Sequence, residues 1–381
     1  MYAEDHGLSG IRFSLEPISS INRVGTLWRR LEQGSDISFF VSWTWIGTWL
    51  RCLPEHVRPQ LLIAMRGGDP VAAAILVPHR DRRHWIFRHP QFHFNSTGIP
   101  ALDCVTIEHN GFAAGPQESR DVWPAFLRWF ACEALADELV IPGIESGILD
   151  GGAASGDLLQ RRARTPAFAG SVAPGGMEAF LSRLSRNSRH QLRRSLRACA
   201  ALGQVRIESA RSAAEAQAWF GELKGLHVGY WTRRGRHHAF YHPFFENFHR
   251  ALIEAGAEEG SVVLRRISAG NAILGYLHDF RRGDRVYAYQ SGFDDARARL
   301  RPGYVAHALA MEHTARDGAR CYDFLAGDNR LKRSFGDRVY AADRQVFGRP
   351  TARLRLEAAA LRLSRRCRKA DPIDATVPSP T

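Results

Sequence analysis

The stretch CYDFLAGDNRLKRSFG, residues 321–336, begins as a buried strand with Tyr322, Phe324 and Leu325 and sets a carboxylate, Asp323, inside that apolar run. Gly327 and a polar turn follow, then Arg330, Lys332 and Arg333. Buried acids are usually paired. Asp323 therefore reads either as a structural partner of Lys332 or Arg301 or a capping residue, or as a group that accepts a proton from an attacking amine or orients it. Lys332 reads as an anion contact or as a solvated cation.

A second stretch, RVYAYQSGFDDARARLRPGY, residues 285–304, runs from a strand through a glycine turn into a helix. The first amides of a helix are unsatisfied and its dipole favours negative charge, so such a junction can hold an anion. Gly303 permits close approach of a ligand to the backbone, and Pro302 suits the first helical position. Arg297, Arg299 and Arg301 add cations. The plain alternative is a capped helix beside a solvated basic loop.

Two further clusters are candidates for recognition. Helical spacing over 178–197 sets Leu181, Leu184, Leu192 and Leu196 on one stripe and Arg186, Arg189, Arg193 and Arg197 on the rest. That surface suits an acidic glycan, a nucleotide-sugar diphosphate or a tRNA backbone, or is a solvated face. Residues 227–242, HVGYWTRRGRHHAFYH, mix aromatic and basic side chains, among them Trp231, that could stack a sugar or base. Their other reading is core packing. His237 and His238 lack the acid or cysteine spacing of a metal site, so no metal is expected. Trp43, Trp45 and Trp49 read as core.

The elements that must position these residues follow from periodicity. The first half reads as a strand over 11–18, helices over 21–33 and 42–53, three strands in a meander, a helix over 119–135 and a strand over 138–143. The second half repeats the order. A strand, helices over 212–231 and 239–256, a three-strand meander, a helix over 304–318 and the strand CYDFLAG succeed one another, and RVYAADRQVFG (338–348) adds a last strand. Residues 149–162 read as a connector. Residues 352–369 read as a basic amphipathic helix, followed by a polar, proline-containing tail of the composition that stays disordered.

Length and charge bound the rest. The 381 residues imply two domains, set at 1–165 and 175–350, with 351–381 as a basic helix and tail. Hydrophobic residues at 45% and charged residues at 24% exclude a disordered or fibrous chain. The net charge of +13 favours an anionic partner such as a phosphorylated cofactor, a nucleic acid, an anionic polymer or a membrane surface. Six scattered cysteines fit neither a disulfide framework nor a zinc site. The start MYAEDHGLSG lacks a signal-peptide core, and VAAAILV, among the longest apolar runs, is strand-sized. The expectation is a cytoplasmic protein with no transmembrane segment, able to touch a membrane peripherally.

The order of three antiparallel strands, a helix opened by a glycine turn and a further strand resembles the GNAT acyltransferase fold. Two such halves in tandem resemble the Fem-type transferases of cell-wall synthesis. The segments YAYQSGFD, RPGYVAHAL and DGARCYDFLAGDNRLKRSFG, with the basic LSRLSRNSRHQLRRSLRACAALG, resemble the branch labelled acetyltransferase involved in cellulose biosynthesis. The likeness covers residues 175–348 well and is weaker over the first half, where it rests on SWTWIGTWL and STGIPALDCVTI. It implies an α/β fold of mixed sheets in two tandem GNAT-like halves, with acetyl-CoA or another acyl-CoA as donor. Its strand over 321–326 parts from that over 285–291, and the thioester lies in the gap. Asp323 and Tyr289 are then the catalytic residues, and backbone amides of 285–292 stabilise the oxyanion. Gln290, Gly292, Arg301, Gly303 and Tyr304 hold the donor. Arg189, Arg193, Trp231 and Lys332 hold the acceptor, a small molecule or glycan.

One departure bears on the donor. The usual CoA loop, Gln/Arg-x-x-Gly-x-Gly/Ala, has Leu300 and Val305 at its outer positions here, and Pro302 removes an amide. CoA, aminoacyl-tRNA and another acyl carrier all remain open. The expected activity is acyl transfer to an amine or hydroxyl in exopolysaccharide or cell-envelope synthesis. The rivals are an aminoacyl-tRNA-dependent transferase on a peptidoglycan precursor and a non-enzymatic polymer-binding module.

Overall fold

The computed structural model describes residues 10–83, 87–150 and 158–352, with 354 and 356. The first part of the chain folds as β1 (Ile11–Pro17), α1 (Ile21–Glu32), α2 (Trp43–Cys52), β2 (Gln60–Arg66), β3 (Asp69–Arg83), β4 (Phe87–Phe94), α3 (Pro116–Cys132) and β5 (Glu138–Glu145). Then come β6 (Leu159–Ser171), α4 (Gly176–Arg183) and α5 (Arg186–Ala200). The second part has β7 (Val205–Ser209), α6 (Ala213–Thr232), α7 (Pro243–Gly256), β8 (Val262–Ala269), β9 (Ala272–Arg282) and β10 (Arg285–Phe293). It ends with α8 (Pro302–Arg316), β11 (Cys321–Ala326), α9 (Arg330–Phe335) and β12 (Arg338–Gly348).

Local chemistry accounts for the helix starts. Ser20, Ser42, Ser185 and Ser212 each accept a hydrogen bond from an amide in the first turn of α1, α2, α5 and α6. Such caps satisfy donors that the helix itself cannot. Ser185 also explains a difference from the sequence reading. The helix expected over 178–197 is two helices, because the chain leaves α4 at Leu184 in an extended conformation and Ser185 opens α5.

The twelve strands of the described residues form one mixed sheet in the order β1-β2-β3-β4-β5-β12-β6-β11-β10-β9-β8-β7. Each half contributes an antiparallel meander and one parallel pair, β4 with β5 and β10 with β11. At the centre the halves exchange strands. β6 follows the first half in sequence but pairs with β11, and β12 ends the second half but pairs with β5. β6 and β12 also pair with each other along eleven residues, Arg338–Gly348 against Leu159–Ala169. Residues 159–162, read from the sequence as connector, begin β6. Their side chains are exposed, so no burial alternation marks them as strand.

Three cores cover the sheet. One face carries a single core that runs across both halves, joining Trp28, Phe39, Phe40 and Trp45 to Phe248, Phe280 and Tyr287. The other face carries one core under α3 and another under α4, α5 and α8. Trp43, Trp45 and Trp49 are all buried, as their spacing predicts. The expected helix and tail beyond residue 351 lie almost wholly outside the described residues.

Candidate active site

The site begins where two parallel strands separate. β10 pairs with β11 only over Arg285–Tyr287 against Cys321–Asp323. Beyond that point β10 bulges against β9, with Ala288 opposite Asp279 and Gln290 opposite His278, so Tyr289 has no register partner. β11 is irregular against β6 between Asp323 and Leu325, and Leu325 has a left-handed φ of 63°. Bulges turn a strand and end its pairing. A cavity of about 360 Å³ fills the gap, lined among others by Tyr289, Gln290, His307, Leu325 and Lys332 and by Glu108 from the first half. His307 lies one helical turn beyond Gly303, so the cavity adjoins the N-terminus of α8.

Glu108 and Lys332 supply its charge. Glu108 Oε2 accepts the Ala326 amide at 2.6 Å, while Oε1 accepts no hydrogen bond among the described residues. Burial pushes the Glu108 carboxyl above its usual range. Lys332 Nζ donates to the carbonyls of Leu325, at 3.1 Å, and Ala326. Burial pulls its ammonium pKa down, against the opposing pull of Glu108. His307 Nδ1 lies 3.0 Å from the buried Tyr322 hydroxyl. Burial drives the His307 pKa down to about 3, so the ring is neutral.

Asp323 does not line this cavity. Its side chain is 0% exposed and is held by four donors. His109 Nε2 lies at 3.0 Å, Arg285 Nη1 at 3.2 Å, the Tyr340 hydroxyl at 2.7 Å and the Leu325 amide at 2.9 Å. His109 Nδ1 also faces Glu145 at 3.5 Å, and Arg338 pairs with Glu145. The cluster joins a loop and β5 of the first half to β10, β11 and β12. The carboxylate expected to handle protons is thus occupied as the centre of an inter-half ion network; Lys332 acts on it only as a nearby charge, and neither Lys332 nor Arg301 is bonded to it.

This network has a pH signature. Burial alone would lower the His109 pKa, but hydrogen bonds to Asp323 and Glu145 raise it from 6.5 to about 9. Burial raises the Asp323 pKa, and its bond to His109 leads the contributions that bring it below 3.8. The histidine contribution is complete below pH 6.5 and is lost as pH rises through about 9. The aspartate contribution is complete above pH 3.8 and is lost as pH falls below it. We expect the melting temperature to decline between pH 6.5 and 9, and His109→Gln to flatten that decline. Melting curves measured across this range check it, and parallel slopes for both proteins would refute the linkage.

The other expected site residues fall into two groups. Tyr289, Gln290 and Lys332 line the cavity. Arg301, in a left-handed conformation, heads α8 and donates from Nη1 to Gln191 at 2.6 Å. A Cβ on Gly303 would lie 3.2 Å from the Phe293 ring, and the Tyr304 hydroxyl bonds to Ser334 at 2.8 Å. Gly292 has a packing reason: a Cβ there would come within 2.5 Å of the Leu223 carbonyl oxygen of α6. Trp231 lies at the end of α6, outside the cavity lining. Arg189 bonds the carbonyls of Ser182 and Leu184, and Arg193 pairs with Glu178 at 2.6 Å, so both tie α5 to α4. Glu108 and His109 were not singled out from the sequence. The adjacent acid and imidazole in TIEHNGF, just after STGIPALDCVTI, were the available signal.

A meander, a bulged strand parting from its parallel neighbour and a helix N-terminus beside the gap make this mixed α/β architecture GNAT-like. Residues 186–333 match the acetyltransferase (GNAT) domain family. The chain is similar in structure to FemX, with a TM-score of 0.53 at 12% identity, covering 88% of this chain and 96% of that one. It is also similar to the C-terminal domain of a putative lysylphosphatidylglycerol synthetase from Agrobacterium fabrum, with a TM-score of 0.51 at 12% identity over 92% and 97% of the two chains. A protein of unknown function from Bacteroides thetaiotaomicron gives a TM-score of 0.52 at 8% identity over 89% and 100%. At these identities the likeness concerns the fold alone. No curated protein matches the chain in sequence. Among the described residues no helix is long and apolar enough to cross a membrane, and no group of three or more His, Cys, Asp or Glu is placed to hold a metal.

Proposed function

We propose that the protein is an acyltransferase moving an acyl group, acetyl in the simplest case, from a CoA thioester to an amine or hydroxyl. The observation that carries this reading is the cavity between β10 and β11, adjoining the α8 N-terminus and holding a buried carboxylate with one uncommitted oxygen. The donor phosphates lie at the amide of Gly303, where the helix dipole favours them; the Tyr304 amide is already bonded to the Arg301 carbonyl at 3.0 Å. The thioester carbonyl lies over the bulge at Tyr289 and Gln290, and backbone amides of the 285–292 strand stabilise the developing oxyanion. The acceptor nitrogen attacks the carbonyl carbon, Glu108 takes its proton, the C–S bond breaks and the thiolate leaves to be protonated. Lys332 steadies the negative charge. An exopolysaccharide or cell-envelope acceptor, met in the cytoplasm where acyl-CoA is supplied, rests on the sequence resemblance alone.

A second reading, an aminoacyl-tRNA donor, is favoured by Pro302, which leaves the α8 N-terminus one amide short, and by the high positive charge. Calorimetry with acetyl-CoA and with total tRNA separates the two. We expect acetyl-CoA to bind and Gly303→Val to weaken it by about tenfold or more, a loss of about 1.4 kcal/mol. A folded Gly303→Val protein with unchanged acetyl-CoA affinity would remove the phosphate assignment. Saturable tRNA binding without acetyl-CoA binding would replace the donor.

A further inference from the structure

The mechanism leaves the basic face of α5 without a role. Between α4 and α5 lies an open groove of about 1040 Å³. Met177, Leu181 and Leu196 are its apolar lining, and Arg186, His190 and Arg197 are among its polar rim. Arg189 and Arg193 hold the two helices together, as described above. Arg186 and Arg197, with Arg194 on the next ridge, are exposed, and their guanidinium groups have no hydrogen-bond or ion-pair partner among the described residues. Among the described residues Glu178 is the one carboxylate lining the groove, and it is paired with Arg193.

The groove is close to the donor site. On the other flank of α5, Gln191 accepts a hydrogen bond from Arg301, the residue that heads α8. The groove and the proposed phosphate position therefore stand on two sides of one helix, about 10–12 Å across. A ligand with a phosphate at α8 and its thioester in the cleft can carry a further anionic body over α5.

We propose that the α4–α5 groove docks an acidic acyl-carrier domain, a small helical protein that presents the acyl thioester on a phosphate-linked arm. This rests on the thioester reading of the cleft. Three features select that occupant. Unpaired arginines around the groove complement an acidic helix and speed its encounter. The apolar lining of Met177, Leu181 and Leu196 suits the buried side of a helix. Among the described residues no Phe, Tyr or Trp lines the groove, so it lacks the broad stacking platform that single-stranded nucleic acid uses. The apolar residues are recessed between two helices, which suits a protein helix better than a flat lipid surface. The chemical step is the one given above with the arm's thiol as leaving group. The acceptor N–C bond forms, the C–S bond breaks, and the acceptor proton passes through Glu108 to the arm's thiolate.

The test measures binding of the full chain to a fluorescent, acyl-loaded holo-acyl carrier protein by anisotropy at about 50 mM and about 300 mM salt. Apo-carrier without the arm, total tRNA and anionic phosphatidylglycerol vesicles are run beside it. The holo-carrier is expected to bind more tightly than the apo form and to weaken with salt. The double variant Arg186→Glu/Arg197→Glu is expected to lose about 30-fold or more in carrier affinity, with acetyl-CoA calorimetry and melting temperature unchanged. Arg186→Lys/Arg197→Lys is expected to retain most of it. Failure of the carrier to bind, indifference to charge reversal, or binding of tRNA or vesicles alone overturns the docking proposal. If acetyl-CoA still binds in that case, the acyl-CoA reading stands. If the parent binds neither acetyl-CoA nor acyl-carrier, the thioester reading itself falls.

Discussion

Glu108→Gln is expected to fold and bind acetyl-CoA like the parent and to lose turnover by about 10²–10⁴-fold, the usual loss when a general base is removed. Glutamine keeps the side chain's shape and keeps an oxygen that can accept the Ala326 amide, now at 2.6 Å. It cannot take a proton from the acceptor. The parent should also show an acid limb in kcat/KM above the carboxylate's ordinary 4.5, because burial raises the Glu108 pKa. The base acts when deprotonated, so the rate falls as pH falls through that raised value. Glu108→Gln should abolish this limb. Stopped-assay turnover at several pH values, with calorimetry on the same preparation, checks both statements. A Gln variant with parental kcat would place the proton acceptor elsewhere.

Asp323→Ala is expected to cost about 3–5 kcal/mol of stability, the range for breaking one side of a buried ion pair. Its removal leaves His109, 9% exposed, and Arg285 without their shared counter-charge, and leaves the Leu325 amide without its acceptor. Asp323→Asn removes the charge at constant shape and should also lower the melting temperature. The folded fraction of either variant should keep turnover within a few-fold of the parent, because Asp323 lies outside the cavity lining. Denaturant melts and turnover on one sample decide the matter. An Asp323→Asn protein of normal stability but without activity would return this carboxylate to the chemistry.

The two acids separate what could be read from the sequence from what could not. Asp323 announces itself because an aspartate in CYDFLAG violates the apolar pattern around it. The same signal arises whether the charge is paired or reactive, and sequence spacing carries no information about a partner 214 residues away, as His109 is. Glu108 sits in a loop, where an acid breaks no pattern. Only the packing of that loop against β11 buries it and raises its pKa.

The sequence by itself determined the local elements. Serine caps, apolar periodicity and glycine turns act within a few residues, and they set α1, α2, α6, both meanders and the strand-to-helix junction before α8. Through its motifs it also pointed to the GNAT-like class. The tertiary structure alone decided which strand lies beside which. β6 and β12 are exchanged between the halves because backbone pairing is indifferent to sequence order, and the choice rests on side chains buried from opposite ends of the chain. That exchange brings the first-half loop carrying Glu108 and His109 against β11. It makes one carboxylate the centre of an ion network and leaves the other facing the cleft, since charges are paired or stranded by three-dimensional neighbours.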